Sequence, residues 1–162
     1  MLAPTHELKL TSNCEQVFAG SDTTAIALRA ILYFLMRHPD KMQKLQKEID
    51  DTDQAGKLSD PISDKEARTE LPYLNAVHKE AMRLHPSVGL LLERHVPAGG
   101  AVICGKHIPE GTIVGVNPWV TQHDPEVFEN PEVFEPERWL ANDKNKEQLA
   151  LMEKSFFSFV SA

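Results

Sequence analysis

The sequence predicts a mainly α fold with a small β region, and three observations carry that prediction. From about Leu10 to Leu84, apolar residues recur three and four positions apart in several separate runs. After Pro86 that period gives way to short β-branched runs, Val102-Ile103 and Ile113-Val114 with Val116. From Asn117 to Trp139 the chain is dominated by Pro, Asp, Asn and Glu, which suits an ordered but irregular loop region. The 162 residues are 41% hydrophobic and 25% charged, a globular composition of a size for one ordinary domain.

The first helix covers about Leu10 to Arg37. Between Ala25 and Met36 its apolar side chains point all round the wheel, so it is expected to have protein on every side. That run includes Arg29 and is too short to cross a bilayer. His38-Pro39 ends it, because the residue before proline avoids the helical region and proline suits the first turn of a new helix. The second helix, about Pro39 to Asp51, carries an apolar stripe at Met42, Leu45 and Ile49. After a polar loop from Thr52 to Pro61, Ser63 and Glu66 have capping-box spacing and start a short helix. A further helix runs from about Pro72 to His85 with Leu74, Val77, Ala81 and Leu84 on one face, and Pro86 stops it. The β-branched runs read as strands around a turn at Pro109-Glu110-Gly111, with proline at the second turn position. Asn142 to Lys154 is polar and is expected to hold one or two helical turns.

The domain reading is a single, incomplete domain. It has a helical part over 10–86, a β part over 87–120 and an irregular part over 121–162.

Charge excludes some functions. Lys plus Arg is 17 and Asp plus Glu is 24, a net charge of −7, which argues against a nucleic-acid partner because phosphate binding needs a basic face. Cys14 and Cys104 could form one disulfide, but there is no cysteine-dense pattern, so a reducing compartment is expected. The first residues show no basic region followed by an apolar run, hence no visible signal peptide. No nucleophile elbow, Walker loop or Gly-x-Gly-x-x-Gly occurs.

Four sets of residues could carry chemistry. Ala19-Gly20-Ser21-Asp22-Thr23-Thr24 has two readings. Ser, Asp and Thr before an apolar run are ordinary helix N-caps. Alternatively, one helix continues through the motif, Thr23 bonds its hydroxyl back to the Ala19 carbonyl, and Gly20 leaves room for a ligand against the backbone. An acid beside a hydroxyl on an apolar helix then suits proton relay. Glu80 and Arg83, three apart on a helix, are either a solvated surface pair or two members of a cluster that Arg138 of Pro136-Glu137-Arg138-Trp139 could complete. Arg94, after a run of leucines, either snorkels to solvent or reaches a buried anion. Cys104-Gly105-Lys106-His107 has the spacing of half a zinc site, but no second half exists.

In their order and spacing, Ala19-Gly20-x-Asp22-Thr23-Thr24, Glu80-x-x-Arg83 with Leu84-His85-Pro86, Arg94, Pro109-Glu110-Gly111 and Pro136-Glu137-Arg138-Trp139 resemble the C-terminal half of the cytochromes P450. The likeness runs from about Leu10 to Phe159. In style it is that of a fungal microsomal member, near the pisatin demethylase or benzoate hydroxylase groups. The resemblance implies a haem-dependent monooxygenase that puts one atom of dioxygen into a small organic substrate, with electrons from NADPH through a reductase. It implies that Ala19 to Thr24 lie over the distal face of the haem, with Asp22 and Thr23 delivering protons. Arg94 would bind a haem propionate, and Glu80, Arg83 and Arg138 would form a fold-locking cluster. His123-Asp124-Pro125 is similar to the family's His-Arg-Asp-Pro turn with histidine in place of arginine, and no function is assigned to it. A full member is expected on the endoplasmic reticulum. This chain, lacking an anchor or membrane span, is expected in the cytoplasm.

The resemblance breaks at the end. Where the family continues from a stretch like Phe156-Phe157-Ser158-Phe159 into a glycine-rich loop and the axial cysteine, this sequence reads Val160-Ser161-Ala162. Cys14 and Cys104 stand in other motifs, so no metal ligand is assigned, and thiolate ligation is what gives this haem its oxygen chemistry. Three expectations follow. The chain is a fragment of such an enzyme and inactive by itself; or it is a non-catalytic haem-pocket remnant that binds a ligand or partner; or it is a helix-and-sheet binding module. Made alone, it is expected to expose a large apolar patch.

Overall fold

The computed structural model describes residues 5–142 and 145–158, with side chains from Val17 onward, Phe18 excepted. The described chain is mainly helical with two small antiparallel sheets, as the pattern predicts. It separates into two compact units, one formed by the chain up to Ser87 with Phe134–Leu140, the other by Val88–Val133 with the chain from Ala141.

In the first unit, α1 (Thr5–Arg37) runs 33 residues without a break, straight through the Ser-Asp-Thr segment. Ala30 and Leu35 are buried and Ile31 and Phe34 pack on the core, while Leu28, Leu32, Tyr33 and Met36 stay exposed. The expectation of protein on every side is therefore not met within this chain, which covers one stripe of the helix. α2 (Pro39–Gln54) begins with Pro39 in its first turn. Of its expected stripe, Leu45 is buried and Ile49 packs on the core, but Met42 is exposed. α3 (Asp64–Glu70) starts with a complete capping box between Ser63 and Glu66. α4 (Pro72–Leu84) buries Tyr73, Ala76, Val77, Glu80, Ala81 and Leu84 among others, a stripe stepping by three, one, three, one and three. Leu35, Leu45, Tyr73, Val77, Ala81, Leu84 and Phe134 form the core of this unit, with the Phe34 ring stacked on Phe134 at 5.0 Å. The short 3-10 helix Pro136–Trp139 belongs to the same unit.

The second unit holds the strands. β1 (Leu92–His95) pairs with β4 (Ile113–Val116), and β2 (Ala101–Ile103) pairs with β3 (Lys106–Ile108). This corrects the predicted hairpin: Val102-Ile103 and Ile113–Val116 lie in different sheets. The partner of β2 is three residues away across a two-residue turn, Cys104-Gly105, with φ of 49° and 74°, the positive values that such hairpin turns require. The Pro109 turn joins the two sheets instead. Its closing bond runs from the Thr112 N–H to the Pro109 carbonyl at 3.3 Å, so proline is the first turn residue rather than the second. Gly111, at φ 75°, then takes the position where a side chain would be strained. α5 (Pro118–Gln122) and α6 (Lys146–Lys154) complete the unit. Gln122 is buried, and its Oε1 accepts from the Phe157 N–H at 2.9 Å and the Ser158 hydroxyl at 3.1 Å.

Candidate functional site

Spacing alone leaves two readings of Glu80 and Arg83, a solvated surface pair or part of a cluster with Arg138. The structure places both at 0% exposure. Arg83 donates from Nε to Glu80 Oε2 and from Nη2 to Oε1, each at 2.9 Å, the forked geometry that suits a carboxylate. Arg138 Nε reaches Oε1 at 3.0 Å, Trp139 Nε1 reaches Oε2 at 2.8 Å, and the Glu135 N–H reaches Oε1 at 3.0 Å. The carboxylate thus accepts five donors drawn from α4 and from the 3-10 helix and its flank. A buried charge persists when it is so surrounded, since its water has been replaced by fixed donors.

A second set of bonds, absent from the sequence reading, holds these two elements to α2. Glu48 of α2 accepts the Tyr73 N–H at 2.7 Å and the Leu74 N–H at 2.9 Å. Those are orphan donors of the first turn of α4, where a carboxylate is also favoured by the helix dipole. Lys41 donates to Glu135 and Glu137, each at 2.8 Å, and Lys44 donates to Glu137 at 2.7 Å while lying over the Tyr73 ring. The Tyr73 hydroxyl donates to Glu137 at 3.1 Å. Burial pushes the Glu137 carboxyl up, but hydrogen bonding with Glu135, Lys41 and Lys44 outweighs it and holds the group well below the usual carboxylate range. Burial likewise opposes the charge on Lys41, and its two carboxylate partners overcome that and raise it. Burial first, and then the neighbouring Glu137, push the Tyr73 phenol above its ordinary value. The available signal was the i, i+3, i+7 spacing of Lys41, Lys44 and Glu48, which puts all three on one face of α2.

Asp22 and Thr23 lie on α1 in the same unit. The helix does not start there, so the N-cap reading is set aside. The Thr23 hydroxyl donates to the Ala19 carbonyl at 2.9 Å, one turn back. A Cβ built on Gly20 meets nothing within 4 Å, so the backbone there is open to approach. Ala19, Gly20 and Asp22 are exposed and Thr23 is half-buried.

Arg94 belongs to the second unit, on β1 opposite Val114. Its side chain is exposed and Nη1 donates to the Glu93 carbonyl at 2.7 Å. Cys104 is free and exposed on the β2–β3 turn. The side chain of Cys14, and with it the possible disulfide, lies outside the described residues, as do Phe159 to Ala162. Among the described residues no group of three His, Cys, Asp or Glu side chains is placed to hold a metal ion. Nor, among them, is any helix long and apolar enough to cross a membrane. His123 donates from Nδ1 to the Trp119 carbonyl at 2.8 Å and stacks on the Trp119 ring. Asp124 caps the following turn through Oδ1 to the Glu126 N–H at 2.9 Å.

A family model described as Cytochrome P450 matches residues 4–156. A protein of Aspergillus terreus named cytochrome P450 monooxygenase is 47% identical over 144 residues, covering 88% of this chain and 29% of its own length. A pisatin demethylase of Fusarium vanettenii is 49% identical over 128 residues, 78% of this chain and 24% of that protein. A solved zebrafish cytochrome P450 with progesterone superposes with a TM-score of 0.66 at 32% identity, over 89% of this chain and 36% of that one. The chain therefore spans less than a third of the curated relatives it matches here.

Proposed function

The chain belongs to the cytochrome P450 family, and on that premise we propose that it forms the oxygen-activation helix and the structural lock of a haem-dependent monooxygenase acting on a small organic substrate. The observation that carries the reading is the Thr23 hydroxyl seated on the Ala19 carbonyl beside Asp22, in an unbroken helix whose Gly20 leaves the backbone open. A threonine so held keeps its hydroxyl oxygen as an acceptor while its proton is directed along the helix, and Asp22 can exchange protons with water at its exposed carboxylate.

The described residues fit a haem in part. Arg94 keeps guanidinium N–H groups beyond the one on the Glu93 carbonyl, which suits a propionate. Ala19 and Gly20 present backbone without bulk, which suits a flat ring. Bound haem supplies the dioxygen and one-electron chemistry. Electrons come from NADPH through a reductase, and the complete enzyme sits on the endoplasmic reticulum. Glu80, Arg83 and Arg138 hold the fold rather than touch substrate. Residues 1–162 alone are inactive in this reading, because neither Cys14 nor Cys104 stands in a motif that the family uses for the iron.

The test is turnover of haem-loaded protein containing these residues, followed by incorporation of isotopic oxygen from dioxygen into product. Asp22→Asn and Thr23→Ala should each lower the rate by about 10²-fold, the usual worth of a positioned proton donor, with the haem spectrum unchanged. Unaltered rates in both variants would remove the proton-delivery assignment. A thiolate-type haem spectrum from the 162-residue chain itself would remove the claim that it is inactive alone.

A further inference from the structure

We propose that Ser87 is a positioning residue for Thr23, tying the middle of α1 to the exit of α4. The inference rests on the proton-delivery reading of Thr23. Ser87 follows the His85-Pro86 pair that ends α4, and its hydroxyl donates to the Thr23 carbonyl at 2.9 Å, across 64 residues of sequence. Among the described residues the competing acceptor for that proton is the Met82 sulfur at 4.0 Å, a weak acceptor at the limit of contact, so the carbonyl takes it.

The bond lands on an informative place. In an unbroken helix the Thr23 carbonyl already accepts the N–H four residues ahead, and Ser87 fills its second lone pair. One turn back, the Ala19 carbonyl likewise carries an extra donor, the Thr23 hydroxyl. Two carbonyls on one stripe of α1, one turn apart, are therefore each doubly bonded, which tilts them outward and loosens the ladder between them. A loosened turn needs an external reference if its hydroxyl is to keep one position. Ser87 supplies it from just past the end of α4, a helix tied to the 3-10 helix and its flank by the Glu135, Arg138 and Trp139 donors on Glu80. Thr23 is thus fixed relative to the lock rather than only to its own helix.

The experiment measures product formed per NADPH consumed, and substrate KM, in the complete haem-loaded enzyme containing these residues, supplied with its reductase, with Ser87→Ala, Ser87→Thr and Thr23→Ala. Ser87→Ala should lower product per NADPH by about two- to ten-fold, the worth of one net hydrogen bond expressed in a rate, with KM unchanged, and Ser87→Thr should restore the ratio. A change in KM with the ratio intact overturns the proposal. If Thr23→Ala lowers the ratio and Ser87→Ala does not, the Ser87 role is overturned and the Thr23 reading stands. If neither changes it, both fall. Should Ser87→Ala fail to fold, Ser87→Thr and Ser87→Val have the same shape with and without the hydroxyl. Loss in the valine variant alone supports the proposal, and equal behaviour of the two overturns it.

Discussion

Glu80 and Asp22 are carboxylates on neighbouring helices of one compact unit, and they solve opposite problems. Glu80 is at 0% exposure, and five donors from Arg83, Glu135, Arg138 and Trp139 replace its water. Asp22 is exposed, on a helix that shows Leu28, Leu32, Tyr33 and Met36 to solvent. A lock must hold one charge state and one geometry, so it is sealed with fixed partners. A proton-transfer group must gain and lose a proton, so it needs access to water. On the proton-delivery role proposed for Asp22, the contrast separates residues that make the fold from residues that use it.

The comparison breaks most severely at Glu80. Glu80→Ala leaves the Arg83 guanidinium buried without its carboxylate and deprives Arg138 and Trp139 of an acceptor. The expected loss is ~3–5 kcal/mol of unfolding free energy, the usual penalty for stranding one partner of a buried ion pair. Urea unfolding of the two chains measures it. A loss below about 1 kcal/mol, the scale of an exposed pair, would mean that the cluster is not what holds α4 to the 3-10 helix.

Much of this is legible in the sequence. The four principal helices follow from periods, prolines and a capping box, because those signals are local. The strand pairing was not legible. Val102-Ile103 and Ile113–Val116 look like mates around Pro109, and only the positive φ at Cys104 and Gly105 reveals a tighter turn that claims β2 first. Sequence spacing brought Glu80, Arg83 and Arg138 together as one alternative but could not seal them, since burial is decided by packing from residues 55 to 59 positions away. Ser87 carried no motif, and Glu48 showed only its place beside Lys41 and Lys44 on one face of α2. Each acts on backbone groups, a hydroxyl on a carbonyl and a carboxylate on two N–H groups, and such partners leave no side-chain pattern to read.

The α2 contacts sharpen the comparison through pH. Glu137 is held below the usual carboxylate range despite its burial, by hydrogen bonding with Glu135, Lys41 and Lys44. Glu66 is held down to about 2, first by the Ser63 hydroxyl and then by Ser59. For both, the unfolded chain binds the proton first as pH falls from the ordinary value of 4.5. Their stabilisation is therefore present above that value and is lost progressively toward the lower folded values. The urea midpoint should fall between about pH 7 and about pH 3.5, and the fall should be smaller in Glu137→Gln, whose neutral amide takes up no proton. An equal fall in both proteins would mean that Glu137 is not pinned by its lysines.

The mildest test concerns the open face of α1. Leu35 is 5% exposed and belongs to the core, whereas Leu32, on the same helix, is 57% exposed. Leu32→Ser removes apolar surface that folding of this chain does not bury, so unfolding free energy should change by no more than about 0.5 kcal/mol. Contiguous exposed apolar surface also favours association. The same substitution should therefore lower the fraction of oligomer seen by light scattering. A large destabilisation would show that Leu32 is covered when the chain folds in solution. The uncovered stripe would then vanish, and with it the claim that α1 differs from the sealed Glu80 cluster in how completely this chain encloses it.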